Sequence, residues 1–404
     1  MARLGLWGAL ARAAAAAAAA GARRQQQPQQ RRGLAAGAAL HHQLHHHPPR
    51  RAMLYVPGSD ERKLRKARAR PRRRAAGARV VGAGCAAHGR RRGGANGRTA
   101  RARRAQALAG VAADCVVMDC EDGVAPAAKA DAREAIARAL DGAPPALGGE
   151  AAVRINPPSS GALAEDDLAA VLGARALPDA LVVPKVEGPD DVAWIFDRVA
   201  RELSRRGAPP RRVGGGPGPL ALVTMCESAV ALLDLRRTFE AALARGGAGG
   251  AALQLQAAIL GGDDLAASLG ATRSADNGEL AHARGQFLLT CRAMQLQAID
   301  IVNIDLSEAG LRALAAEARQ AALQGWSGKQ VIHPKQVSIV ADAFSPTDAQ
   351  VAAAVKLVAA AREQSAAGRG AFLFEGRMID APTVLQARNV LALAERLDQQ
   401  AANE

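Results

Sequence analysis

The sequence predicts an α/β fold, a closed (β/α)8 barrel followed by a C-terminal helical lid segment. Eight short apolar segments of strand length alternate with amphipathic stretches of helical length, which is typical of βα units around a parallel sheet. Polar residues follow nearly every apolar segment, where a barrel of this kind carries its functional groups. The 404 residues are enough for such a barrel, which takes about 250 residues, and for additional segments.

The predicted strands each span a few apolar residues. They are 52–56, 115–119, 152–155, 180–183, 221–225, 257–260, 299–302 and 330–332. Predicted helices between them include 189–204 and 228–243, and periodicity alone leaves an open doubly wound sheet as an alternative. Beyond the last strand, 347–365 and 382–399 are predicted helices. The glycine-punctuated stretch GRGAFLFEGRMIDAP between them is predicted to be a structured lid.

The net charge of +15 belongs to the front third of the chain. Residues 1–113 contain 25 Lys and Arg against two Asp and Glu, and the remainder is net acidic. Aromatic residues make up 2%, whereas a folded nucleic-acid binder would set basic side chains among exposed aromatics. We therefore expect no nucleic-acid partner. The alternative is a non-catalytic nucleic-acid-associated protein, whose binding would be salt-sensitive and carried by residues 67–107.

Two basic low-complexity segments lie on either side of the first predicted strand. Residues 1–51 lack acidic residues, a composition typical of a disordered mitochondrial transit peptide, so we expect a matrix protein; a secretory signal is the alternative. Residues 67–107 are arginine-rich and predicted to be disordered, either a lineage-specific insertion or a faulty gene model. The predicted organisation is leader 1–51, catalytic barrel 52–66 and 108–340, insertion 67–107, and C-terminal lid 341–404.

Two further classes are excluded by composition. No uninterrupted apolar run has the length and composition of a membrane span, so we expect no membrane association. The five cysteines form no CxxC pair and no short disulfide framework, which indicates reduced thiols without an assigned chemistry.

Glu227 and Asp264 follow consecutive predicted strands, so their carboxylates are expected to converge at the carboxyl end of the barrel. Two carboxylates completed by water and substrate oxygens suit Mg²⁺. Zinc is disfavoured because no His or Cys group falls at ligand spacing. The alternative is that each acid caps the helix that follows it.

Arg154 ends the third predicted strand and offers a planar fork for a carboxylate or a metal-bound 2-oxo acid. The alternative is a buried salt bridge to the acidic turn DCEDG, and both interpretations hold together if those acids orient the guanidinium. Lys185 and Glu187, after the fourth strand, are candidates for the same supporting role. His333, before Pro334, is interpreted as a structural residue.

These motifs resemble one family along most of the chain outside the leader and the insertion. They are MLYVPGSDERKLRKA, VMDCEDGVAPAAKADAR, VRINPPSSG, LVVPKVEGPDDV, MCESAVALLDL, GGDDLAASLGAT, WSGKQVIHP and GRGAFLFEGRMIDAP. The sequence is similar to the HpcH/HpaI aldolase/citrate lyase superfamily. The resemblance implies a TIM barrel, usually trimeric, that uses Mg²⁺ to cleave (S)-citramalyl-CoA to acetyl-CoA and pyruvate. It also implies condensation of acetyl-CoA with glyoxylate or another 2-oxo acid.

The resemblance also assigns roles to individual residues. The metal ligands fall on Glu227 and Asp264, and catalytic roles on Arg154 and Asp380. Contacts to CoA or to the substrate are implied for Tyr55, Arg62, Lys66, Arg154, Gln330 and Val331. Asp380 would be the acid and base at the acetyl methyl group, with a pKa raised by its apolar neighbours. Asp263 departs from the glutamate expected there, and the arginine-rich insertion is expected to affect the CoA entrance.

A malate synthase or an (S)-malyl-CoA thioesterase is the alternative activity, because substrates that differ by one methyl group are hard to separate by sequence.

Overall fold

The computed structural model describes residues 47–68, 113–142, 149–206, 211–214, 218–247 and 251–403. Within these residues, eight parallel strands close into a barrel. In barrel order they are β1 (Ala52–Pro57), β2 (Cys115–Asp119), β3 (Glu150–Arg154), β5 (Ala180–Val183), β7 (Leu220–Cys226), β8 (Leu253–Leu260), β9 (Gln297–Asp300) and β10 (Gly328–Val331). β4 (Ala176–Leu177) and β6 (Arg211–Arg212) pair with each other outside it. The predicted barrel is confirmed, and the open-sheet alternative is wrong.

Helices surround the sheet. They are α1 (Glu61–Arg68), α2 (Lys129–Asp141), α3 (Ala162–Gly173), α4 (Pro189–Arg205), α5 (Ala229–Leu233), α6 (Leu235–Gly246), α7 (Gly262–Ser268), α8 (Ala281–Ala293), α9 (Glu308–Gln324) and α10 (Pro334–Ala343). The single helix predicted over 228–243 is instead two, α5 and α6. They are interrupted at Asp234, whose φ of −97° and ψ of 6° lie outside helical geometry.

The strands alternate their side chains between two cores, as the period of two requires. Inward-facing residues such as Met53, Ala152 and Val223 fill the barrel, whereas outward-facing residues such as Val153 and Leu222 pack against the helices. Alternation also fixes where polar residues at strand ends lie. Two residues beyond Ala152 on β3, the side chain of Arg154 is directed to the interior face of the barrel, at its carboxyl end.

Arg50 closes the opposite, amino end of the barrel. Its side chain is fully buried, forms an ion pair with Glu150 and donates to Gln256 Oε1 at 3.0 Å. Arg51 forms an ion pair with Asp114, and its carbonyl accepts from Lys329 at 2.9 Å. By composition both arginines belong to the predicted leader, whereas their ion pairs lie in the floor of the barrel. Composition alone does not detect a buried ion pair with a residue about 100 positions away.

The C-terminal segment is a helix pair joined by a hairpin. α11 (Asp348–Ala366) packs on α12 (Ala381–Asn403) through Ala354, Val358 and Ala387, and between them β11 (Phe372–Phe374) pairs with β12 (Arg377–Ile379). The hairpin turn is Glu375–Gly376, both with positive φ, which is the two-residue turn that suits the twist of paired strands. The glycine of the motif therefore has a structural reason.

The rest of the leader and nearly all of the insertion, residues 69–107, lie outside the described residues. α1 extends two residues beyond the predicted boundary at residue 66. Across the described ranges, none of the helices is long and apolar enough to cross a membrane.

The ion pair at the amino end of the barrel is testable by mutation. Arg50→Ala leaves the Glu150 carboxylate buried without its partner, so we expect the free energy of unfolding to fall by about 3–5 kcal/mol in chemical denaturation. Arg138→Ala removes exposed ion pairs with Glu61 and Glu134 and should change the free energy of unfolding by less than about 1 kcal/mol. Replacing Arg50 and Glu150 together by Met should recover most of the loss. Equal losses in the single and double variants would contradict this assignment.

Candidate functional site

The polar residues singled out in the sequence meet at the carboxyl end of the barrel. Arg154 is the last residue of β3, Glu227 follows β7, and Asp264 lies in the first turn of α7, directly after β8. β7 and β8 are neighbours, and β5 lies between β3 and β7. The barrel therefore brings together three residues that are far apart in the chain.

Arg154 is held by the acidic turn after β2. Its Nε and Nη2 donate to the two carboxylate oxygens of Asp119, each at 2.7 Å, and its Nη1 lies 2.8 Å from Glu121 Oε2. Asp119 also accepts from the backbone N–H groups of Glu121 and Gly123. The predicted salt bridge to DCEDG is thus present. A guanidinium has five N–H bonds, so Nη1 and Nη2 keep donors for an anionic ligand.

Tyr55 supports Arg154 from inside the barrel. The guanidinium carbon lies 4.9 Å from the centre of the Tyr55 ring, a cation–π distance. Burial opposes the charge of Arg154, but the hydrogen bond and the negative charge of Asp119 raise the pKa above its usual value. The group stays cationic and fixed in direction.

Glu227 is a buried carboxylate beside other acids. It is 5% exposed, and its Oε2 accepts the backbone N–H of Lys185 at 2.8 Å. Burial first, and then the charges of Glu121 and Asp264, raise the pKa of Glu227 to about 7. Among the described residues, no basic side chain forms an ion pair with Glu227. The carboxylate is therefore short of positive charge.

The residues present fit a hard divalent cation. A Cβ on Gly261 would lie 2.6 Å from Glu227 Cγ, so only glycine leaves room for this carboxylate beside the chain that leads to Asp264. The described residues include no group of three or more His, Cys, Asp or Glu placed to hold a metal. Two oxygen ligands, with water and substrate in the other positions, are what Mg²⁺ accepts and a structural zinc site does not.

The capping alternative does not explain Glu227. The helix after it, α5, is capped by Ser228, whose Oγ accepts the Ala231 N–H at 3.0 Å. Asp264 lies in the first turn of α7, where a negative charge is favoured by the helix dipole, but the N-cap of that helix is Gly261 with no side-chain bond. A capping role thus accounts for neither carboxylate.

Two residues of the last strand lie on different sides of the barrel wall. Gln330 is 6% exposed and its Nε2 donates to the carbonyl oxygens of Leu260 and Asp300, so it joins the ends of three strands. Val331 is fully buried in the core between barrel and helices. The structure therefore does not place the Val331 side chain at the barrel mouth, because alternation turns it outward. His333 caps α10, as its structural interpretation expects.

Arg62 and Lys66 both lie on α1, directly after β1. Arg62 is exposed, and the side chain of Lys66 lies outside the described residues. The predicted pair of basic residues therefore shares one short helix near Tyr55 in sequence.

Asp380 is not in the environment expected from its neighbours. It is exposed, and its Oδ1 accepts from the hydroxyl of Thr383 at 2.8 Å and from the Thr383 N–H at 3.2 Å. The hydroxyl first, and then the N–H, lower its pKa. The expectation of a raised pKa is wrong for this arrangement, because Met378 is itself 71% exposed and provides no apolar cover.

Arg273 is a supporting residue that sequence reasoning missed. It donates to Asp263 Oδ1 at 2.6 Å and lies 3.3 Å from Glu279, so it holds the loop next to Asp264. Arg273 follows helix α7, whereas functional residues in such a barrel are sought at the carboxyl ends of strands. The search for polar residues after strands therefore does not select it. The only signal for it in the sequence is the GGDDL motif, where Asp263 is an acid that requires a partner and stands beside Asp264, the predicted metal ligand.

The chain is similar to known proteins along most of its length. A model of the HpcH/HpaI aldolase/citrate lyase family matches residues 98–334. The chain is 37% identical over 350 residues to the mitochondrial citramalyl-CoA lyase of Rattus norvegicus, covering 86% of this chain and 87% of that protein. It is 32% identical over 284 residues to the citrate lyase subunit beta of Escherichia coli K12, covering 70% and 86%.

Solved structures show the same fold. The protein CitE from Mycobacterium tuberculosis, solved with magnesium, acetoacetate and coenzyme A, matches with a TM-score of 0.55 and 26% identity over 87% of this chain and 99% of that one. A citrate lyase from Burkholderia xenovorans LB400 matches with a TM-score of 0.59 and 22% identity over 77% and 93%.

The space kept by Gly261 can be tested without substrate. In Gly261→Ala the new methyl group displaces the Glu227 carboxylate, so we expect Mg²⁺ affinity, measured by titration calorimetry, to fall at least about tenfold. Gly285→Ala is the control, because a Cβ there meets no atom within 4 Å. Equal Mg²⁺ affinity in the two variants would remove Gly261 and Glu227 from the proposed metal site.

The buried charge of Glu227 predicts a pH-dependent gain of stability on its removal. The folded-state pKa of about 7 lies above the usual 4.5, so the ionised carboxylate destabilises the metal-free fold as pH rises between these values. We expect Glu227→Gln in EDTA to exceed the wild-type free energy of unfolding by on the order of 3 kcal/mol at pH 8. The gain should shrink as pH falls toward 5. A gain that is constant with pH, or absent, would show that this charge is not strained.

Proposed function

Because the chain belongs to the HpcH/HpaI aldolase/citrate lyase family, we propose that it is a magnesium-dependent carbon–carbon lyase acting on an acyl-CoA thioester. The proposed reaction is cleavage of (S)-citramalyl-CoA to acetyl-CoA and pyruvate, with condensation of acetyl-CoA and glyoxylate or another 2-oxo acid in the reverse sense. One observation carries the proposal. The buried carboxylate of Glu227, which is short of positive charge, shares the barrel mouth with the exposed Asp264 and with the clamped guanidinium of Arg154.

Glu227 and Asp264 would hold the Mg²⁺, which when bound polarises the hydroxyl and carboxylate of the substrate acyl group. Arg154 donates its remaining N–H bonds to the carboxylate that becomes pyruvate. Since Asp119 and Tyr55 already fix the guanidinium, it stabilises the developing charge without first having to reorient.

Cleavage breaks the bond between the acetyl methylene carbon and the carbinol carbon. The hydroxyl gives its proton to water, the carbinol carbon becomes the ketone of pyruvate, and the electron pair of the broken bond leaves as the enolate of acetyl-CoA, which then gains one proton at its methylene carbon. We assign Asp380 to the delivery of a proton to that enolate carbon, and to its removal in condensation. Met225 and Ile259, inward-facing near the barrel end, exclude water beneath the reacting carbons.

The lid has to approach the mouth for Asp380 to act. In the single chain the carboxylate of Asp380 bonds only to Thr383 among the described residues, and the hairpin exposes Leu373 by 72% and Met378 by 71%. These apolar side chains support closure of a lid onto a barrel mouth, its own or that of another copy in the proposed homotrimer.

The CoA contacts are assigned to α1 and to the adjacent strands β1 and β10. Arg62 and Lys66 on α1 provide positive charge for the CoA phosphates, and Gln330 presents its carboxamide at the end of β10. Tyr55 acts at the acyl end of the substrate, where its ring supports the guanidinium of Arg154.

The proposed location is the mitochondrial matrix. Its support is the acid-free composition of the leader and the mitochondrial names of relatives such as the rat and human citramalyl-CoA lyases. Since Arg50 forms a buried ion pair in the barrel floor, any processing site is proposed to lie before Arg50.

A second candidate is an (S)-malyl-CoA thioesterase or malate synthase activity. It is favoured by 28% identity over 349 residues to the (3S)-malyl-CoA thioesterase of Cereibacter sphaeroides. Comparing kcat/KM for (S)-citramalyl-CoA and (S)-malyl-CoA, with pyruvate, glyoxylate and free CoA measured as products, separates the two. The proposal expects pyruvate and acetyl-CoA as the main products; free CoA from malyl-CoA as the faster reaction would favour the second candidate.

Asp380 gives a direct test of the proton-transfer step. We expect Asp380→Asn to lower kcat for citramalyl-CoA cleavage by about 100-fold or more, because the amide cannot exchange the methyl proton. Mg²⁺ and pyruvate binding should stay at the wild-type level. Thr383→Ala is the matched control, since it removes the hydroxyl that holds Asp380 without removing the acid, and it should retain turnover. Full activity in Asp380→Asn would remove this residue from the mechanism.

A further inference from the structure

Lys185 lies between the two halves of the site. Its position is fixed by barrel order, since it follows β5, and β5 separates β3, which ends in Arg154, from β7, which leads to Glu227. Lys185 has a φ of +50°, in the left-handed region that residues other than glycine enter at a cost on the order of 1 kcal/mol. A non-glycine residue held there next to a functional site requires an explanation.

The left-handed backbone directs the Lys185 N–H at the metal side of the site. This N–H donates to Glu227 Oε2 at 2.8 Å. Glu227 is buried and pairs with no basic side chain among the described residues, so this bond fixes one of its two oxygens and leaves Oε1 on the side of Gly261. The conformation of one backbone unit thus sets the direction of a proposed metal ligand.

The side chain of the same residue serves the substrate side. Its Nζ lies 2.6 Å from Glu121 Oε1 and 3.5 Å from Asp122 Oδ1. The other oxygen of Glu121 faces Arg154 Nη1 at 2.8 Å. Glu121 is 2% exposed, so its charge depends on these two cations. The ammonium of Lys185 therefore fixes the carboxylate of Glu121, and that carboxylate in turn fixes the guanidinium of Arg154.

We propose that Lys185 is a dual positioning residue, whose left-handed backbone N–H orients Glu227 for the metal while its ammonium, through Glu121, orients Arg154 for the 2-oxo acid. This inference rests on the proposed function for the identity of the two ligands. It assigns Lys185 no contact with the reacting atoms. Both contributions come from one residue, but they depend on different parts of it, the backbone angle and the side-chain charge.

Two substitutions separate these contributions. Lys185→Gly keeps the left-handed backbone and loses the ammonium, since glycine adopts positive φ freely. Lys185→Val loses the ammonium and also strongly disfavours positive φ, because it is β-branched. Mg²⁺ and pyruvate binding are measured by titration calorimetry on the substrate-free protein, pyruvate in the presence of saturating Mg²⁺.

We expect Lys185→Gly to bind Mg²⁺ within about threefold of wild type and pyruvate about tenfold more weakly, as for loss of a charged hydrogen bond. Lys185→Val should weaken Mg²⁺ binding about tenfold as well. In turnover, Lys185→Gly should raise KM for the substrate more than it lowers kcat. A purely structural role would instead lower the melting temperature and leave both affinities unchanged.

Gln295 provides the matched control, because it has a φ of +59° just before β9, at the opposite end of the barrel. Gln295→Val should lower the melting temperature without changing either affinity. Wild-type Mg²⁺ affinity in Lys185→Val would overturn the role of the backbone N–H in orienting Glu227. Wild-type pyruvate affinity in Lys185→Gly would overturn the role of the ammonium in orienting Arg154. If the wild type binds both ligands yet cleaves no citramalyl-CoA, the proposed function fails and the positioning role stands.

Discussion

A buried carboxylate without a cationic partner is the constraint on which the site depends. Glu227 lies at the barrel mouth with its charge desolvated and close to Glu121 and Asp264, and its pKa is raised to about 7 as a result. An isolated buried charge of this kind opposes folding, so the rest of the barrel has to hold it in place. This unfavourable charge favours the proposed metal site, because a divalent cation bound there would neutralise it.

Barrel order converts distant sequence positions into one surface. The succession β3, β5, β7, β8 places Arg154, Lys185, Glu227 and Asp264 side by side, each from a strand end or the turn after it. The acidic turn after β2 then clamps Arg154, and Arg273 binds Asp263, the neighbour of Asp264 in the first turn of α7. The opposite end of the barrel has a buried ion pair, Arg50 with Glu150, which stabilises the floor. At the mouth, by contrast, the buried charge of Glu227 has no ion-pair partner among the described residues.

The sequence was informative wherever one local pattern decided the structure. Apolar runs identified all eight barrel strands, and the polar residue after each run pointed to Arg154, Glu227 and Asp264. Prediction failed where long-range burial decides. Arg50 resembles leader sequence by composition because its partner Glu150 is distant in the chain. The family resemblance implies a contact for Val331, but strand alternation turns its side chain away from the barrel interior. The environment of Asp380 depends on the surface that the lid faces. The apolar residues next to it in the sequence do not reveal that surface.

The most direct test of this account is a crystal structure grown with Mg²⁺ and pyruvate, with Mn²⁺ in a second crystal to identify the metal by its anomalous signal. The account predicts one ion bound by an oxygen of Glu227 and an oxygen of Asp264, each at about 2.1 Å for Mg²⁺, with the pyruvate carboxylate on Arg154. An ion bound elsewhere, or pyruvate bound away from Arg154, would contradict it.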